Sequence, residues 1–145
     1  MTGLVPQRKP AMSISNFDDL LRAARAQPEL QRLLFVFATA GVPDDATAQE
    51  RTRFEAGQGG TLTPLMCVDK APEDLPSFDA LLQESRQLDQ AWDIVFVAAL
   101  AGTDDVRPTS LQAEEHLQRM VESIKSGSIG GFIPFDANGQ PVQFS

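Results

Sequence analysis

A chain of 145 residues, 42% apolar and 22% charged, suits one globular domain that buries its own core. A net charge of −8 opposes polyphosphate and anionic lipid, and Arg22, Arg25, Arg32, Arg51 and Arg53 form no segregated patch, so neither nucleic acid nor membrane is an expected partner. The single cysteine excludes an intramolecular disulfide, no apolar run approaches a bilayer span, and MTGLVPQRKPA lacks the apolar stretch of a secretory signal; the expected location is cytoplasmic.

Residues 1–12 are rich in Pro, Lys, Arg and Gln without periodicity, which predicts a disordered arm before a single domain over 13–145. Met12 is an alternative natural start. Ser15 with Asp18 resembles a capping box, and Phe17, Leu20, Leu21 and Ala24 then follow at helical spacing until Pro28 ends or restarts the helix. LLFVFATA (33–40) is apolar throughout and of strand length, as suits an interior strand covered on both faces. Thr47 and Glu50 form another capping box before a short helix that stops at Gly57. TLTPLMCVD (61–69) is a second strand, and Pro64, having no amide donor, places its first residues at an edge or bulge. Phe78, Leu81, Leu82, Ser85 and Leu88 give the next helical stripe, and WDIVFVAAL (92–100) a third apolar strand.

Ala113, Leu117, Met120, Val121 and Ile124 mark the best helix, over 110–126, with Lys125 near its end and Gly127 as its stop. The tail predicts a hairpin around Asn138-Gly139 that opposes Phe135 with Val142 and Ile133 with Phe144. Strands alternating with helices predict an α/β fold: a mixed β-sheet of about five strands, flanking helices and a C-terminal β-hairpin.

Few residues can carry chemistry. A nucleophilic Cys67 would need a cation, a helix N-terminus or a histidine beside it. Lys70 lies at an odd offset, on the opposite strand face, and the one histidine, His116, is far along the chain. With Leu65, Met66 and Val68 as neighbours, Cys67 reads as a small packing residue. His116 sits at the border of the long helix's apolar stripe, and its i+4 neighbour is Met120, no metal ligand. GQGGT (57–61) precedes a strand and GSIGGF (127–132) follows a helix, the wrong order for a phosphate cradle.

The acidic loops are the remaining candidate. If the three apolar strands run parallel, Asp44, Asp45, Asp69, Asp104 and Asp105 gather at one sheet edge, an oxygen-rich cluster suited to Mg²⁺ or Ca²⁺. Against this, Asp beside Gly, Pro and Thr is ordinary turn and cap chemistry. The metal candidates are therefore Asp45, Asp69 and Asp104, with Cys67 and His116 as reinforcements.

The segments MSISNFDDLLRAA, LTPLMCVDK, WDIVFVAAL and GFIPFDANGQPVQF resemble a family of small proteobacterial proteins often labelled "ribonucleotide reductase subunit alpha". The likeness covers the chain from Met12 onward and implies kinship without implying site residues. The label does not fit, because reductase catalytic subunits use several cysteines in a large barrel and this chain has one. ESIKSGSIGGFIPFD also resembles a secretion-enhancer type of α/β domain, a fold-level likeness that implies a protein-binding role.

The expectation is thus a non-enzymatic cytoplasmic accessory protein, without cofactor, that binds another protein or itself. Its edge hairpin could extend a sheet onto a partner. The alternative is a small enzyme or ligand- or metal-binding domain built on the acidic strand ends.

Overall fold

Leu33–Ala38 are all buried, because the strand that carries them lies at the centre of the sheet with helices on both faces. The computed structural model describes residues 15–42, 45–56, 61–87, 91–103 and 105–142. In chain order the elements are α1 (Phe17–Arg25), β1 (Gln31–Gly41), α2 (Ala48–Glu55), β2 (Thr61–Lys70), a 3₁₀ turn (Pro72–Asp74), α3 (Phe78–Arg86), β3 (Ile94–Ala101), α4 (Ser110–Lys125) and β4 (Ile133–Asp136). The sheet order is β2-β1-β3-β4, and every neighbouring pair is antiparallel. The fold is therefore α/β with one four-stranded antiparallel sheet.

This corrects the expected mixed sheet of about five strands, for two physical reasons. A parallel β1–β2 pair needs an apolar helix to cover the sheet on the way back. α2, AQERTRFE, has no such stripe, so β2 turns back beside β1 as a long-looped hairpin. The C-terminal return is no full strand among the described residues: it makes one bridge, Phe135 to Pro141.

The two faces hold separate cores. On one, α1 and α3 bury Phe17, Leu21, Phe78 and Leu81 against Leu33, Phe35, Phe37, Val95 and Phe135. Phe17 organises this cluster, with its ring 5.2 Å from Phe78, 5.3 Å from Phe135 and 5.9 Å from Phe35. On the other, α4 lays Ala113, Leu117, Met120 and Ile124 over Leu34, Val36 and Phe96. The apolar stripes of all three helices are as their spacing predicts, though Leu88 lies outside the described residues.

Local signals held with small shifts. Thr47 and Glu50 exchange the two bonds of a capping box, and α4 has a further one, Thr109 with Gln112. α1 starts one residue later than expected: Asn16, not Ser15, is the cap and accepts from the Asp19 amide. Pro64 marks both an edge strand and a bulge, since Phe37 opposes Met66 while Ala38 opposes Pro64, leaving Leu65 extra. Gly127 stops α4 with φ +83.

The hairpin register is one residue off the expected pairing. Gly139 alone takes a positive φ, +77, and the Gly139 N–H donates to Asp136 O while Asp136 N–H donates to Gln140 O. That three-residue loop opposes Phe135 to Pro141 rather than Val142. Phe144 lies outside the described residues. The turn is docked, with Phe17 N–H donating to Gly139 O and a Cβ at Gly139 meeting the Phe78 ring at 3.1 Å.

Candidate functional site

The antiparallel sheet disperses the acidic loops. The end of β1 that leads to Asp45 lies at Thr61, whereas Asp69 pairs with Leu34 near the start of β1. The chain thus leaves β1 for Asp45 at the sheet end opposite Asp69, with about 25 Å of β2 between Thr61 and Asp69 at 3.3 Å per residue. Asp44 and Asp104 lie outside the described residues, and Asp105 occupies a tight turn with φ +64. Among the described residues no three His, Cys, Asp or Glu side chains gather to hold a metal ion.

Asp69 is a structural staple. Its carboxylate accepts from Arg32 Nη1 at 2.7 Å and Ser110 Oγ at 2.9 Å, and Arg32 Nε also donates to Pro108 O at 2.6 Å. These bonds tie β1 and β2 to the start of α4.

Cys67 is exposed, which corrects its reading as a packing residue. β2 is an edge strand, so its side chains are only partly covered. Partial desolvation, then the Asp69 and Glu114 carboxylates, push the thiol above its usual pKa. That is the opposite of activation. Lys70 lies on the other face, as its offset predicts, paired with Glu84 at 2.6 Å. His116 is placed in a cleft, with Arg119 Nη2 3.1 Å from its Nδ1.

That cleft belongs to a site of different character. β4 pairs only with Ile94–Val97 of β3, and the chain before Ile133 turns away through Phe132 N–H to Ile129 O. The last four residues of β3, Ala98–Ala101, therefore have no strand neighbour on their outer side among the described residues. At this end the Gly102 N–H donates to Leu30 O across the ladder. The alternation of an antiparallel pair then points the backbone groups of Ala98 and Leu100 at β1, and those of Ala99 and Ala101 outward. β4 agrees: Asp136 and Pro134 bond to the C-terminal return, so Ile133 and Phe135 face Val97 and Val95.

A cavity of about 360 Å³ lies on each side of this open half-edge. On the α1 face it is apolar, walled by Leu20, Ala24, Leu33, Val97, Ala99 and Ile133. On the α4 face it is polar, walled by Leu100, Thr103, Val106, Arg107, Glu115 and His116. Its floor is tightly built, since a Cβ on Gly102 would overlap the Val106 carbonyl. The exposed large apolar side chains among the described residues surround the same end: Val106 (64%) and Ile133 (39%) line the cavities, Leu30 (37%) faces Gly102, and Leu111 (75%) lies one turn before Glu115.

Of the residues singled out from sequence, Cys67 and Asp69 are neighbours on one face of β2, Asp45 follows the far end of β1, Asp104 lies outside the described residues, and His116 lines this site. The edge itself went unseen. Its one signal was the small-residue end AALAG of an otherwise bulky strand. No family model matches the chain, and no curated protein or solved structure matches it.

Proposed function

We propose that the protein is a binding module for another polypeptide, which adds as a strand along Ala98–Ala101. The observation that carries this reading is the half-paired β3, with outward N–H and C=O groups at Ala99 and Ala101 and a cavity on either face. Sheet edges are commonly blunted with charge, proline or a bulge, and this one has none. Strand addition uses such a feature directly, taking affinity from main-chain bonds and specificity from pockets for alternate side chains. A non-enzymatic accessory role follows from it, in a reducing compartment suited to the unpaired Cys67. No helix among the described residues is long and apolar enough to cross a membrane.

A site-specific photocrosslinker tests this. Placed at Val106, beside the edge, it should give discrete adducts with a polypeptide in the producing cell. Placed at Asp79, exposed on α3, it should not. Identical adduct patterns at both positions would reject the proposal.

A further inference from the structure

Resting on that reading, we infer that the strand received by β3 presents a basic side chain opposite Leu100, flanked by an apolar one opposite Ala99. Residues directly opposed in a sheet point to the same face. Ala99 opposes Leu33 and so lies on the α1 face, where the cavity wall is almost wholly apolar. Leu100 opposes Arg32 and lies on the α4 face, over the polar cavity. The incoming strand therefore meets an apolar pocket and a polar one at successive residues.

The charge in the polar pocket is set by what is already committed. Arg107 Nη2 pairs with Glu73 Oε1 at 2.6 Å and its Nε donates to Gln31 O, so its charge is satisfied from behind the cleft. His116 rests against Arg119. Glu115 makes no ion pair or side-chain hydrogen bond among the described residues, and it lies beyond the first turn of α4, too far along to cap the helix. Arg119 bears on His116 without lining the cleft, so the charge on the cleft wall left open to a ligand is the Glu115 carboxylate, on a chain of net charge −8. A lysine or arginine complements it, and an acidic side chain there would be repelled. The four-residue slot limits recognition to a short extended core built on an apolar–basic pair.

The test is selection of a phage library of random seven-residue peptides on the full chain, followed by affinity measurement with the enriched peptides. The expected motif sets a basic residue next to an apolar one. Glu115→Gln should weaken those peptides roughly two- to fivefold, as loss of an exposed pair does. Ala99→Pro removes the outward donor at an edge position that tolerates proline and should abolish binding. Because that variant could fail to fold, N-methylation of alternate amides in the enriched peptide tests the same bonds on the native chain, with an expected loss of roughly tenfold. Enriched peptides with no basic residue and no response to Glu115→Gln would overturn the basic core and leave the edge reading standing. Peptides indifferent both to Ala99→Pro and to N-methylation, or no enrichment at all, would overturn both. Sedimentation that shows dimers, dissociated by Ala99→Pro, would overturn it in favour of a second copy as occupant.

Discussion

Among the described residues the sheet has two open edges, and they are treated differently. β2 exposes its full outer side over ten residues, yet Pro64 removes a donor, Leu65 bulges, and Asp69 and Lys70 end the strand in ion pairs on opposite faces. β3 exposes only Ala98–Ala101, and those residues carry no charge, proline or bulge. The long edge is guarded against pairing and the short one is shaped for it. Edge length is thus a poor guide to where a sheet accepts a partner; the absence of guards, together with pockets on both faces, is a better one.

The contrast can be broken most severely from the core beside β3. Phe17→Ala removes a fully buried ring that holds α1, a wall of the apolar cavity, against Phe35, Phe78 and Phe135. It should cost about 4 kcal/mol of stability in urea unfolding. A loss below about 1 kcal/mol would mean that α1 is not anchored through this ring. Next in size is the guard at the end of β2. Asp69→Ala takes the carboxylate from Arg32 and Ser110, leaving Arg32 only Pro108 O, and should cost about 2 kcal/mol by the same assay. An unchanged midpoint would show that the staple contributes nothing.

Smaller in stability is the proline guard. Pro64→Thr should change unfolding by less than about 0.5 kcal/mol while producing concentration-dependent association through β2. A strictly monomeric variant would show that Pro64 is not what blocks that edge. The smallest effect concerns Cys67 on the guarded strand. Its raised thiol pKa leaves less thiolate at pH 8 than a cysteine in the urea-unfolded chain, so iodoacetamide should react more slowly with the folded protein. Glu114→Gln removes a negative charge, lowers that pKa and should speed the reaction. Faster alkylation of the folded native chain would contradict the assignment.

Much of the fold was legible in the residues because it is encoded locally. Helical spacing gave α1, α3 and α4, unbroken apolar runs gave β1 and β3, and Pro64 announced both an edge and a bulge. Strand direction is not local. The alternation of strands and helices suggested parallel pairing, and only the lack of an apolar stripe in AQERTRFE argued otherwise. That one misreading of direction assembled Asp45 and Asp69 into a cluster that the antiparallel sheet holds apart. The hairpin slipped for a related reason: Asn138-Gly139 suits two positive φ angles, but docking against Phe17 and Phe78 selects a loop that uses one. The open edge depends on where β4 begins relative to β3, a register that no single segment specifies.

The most direct measurement is amide hydrogen exchange by NMR on the dilute full chain, compared along β3. Val97, which faces β4, and Ala98 and Leu100, which face β1, should be protected at least about 100-fold more than Ala99 and Ala101. Ala99 and Ala101 protected as strongly as Val97 would mean that this edge is already paired, and the binding site described here would not exist.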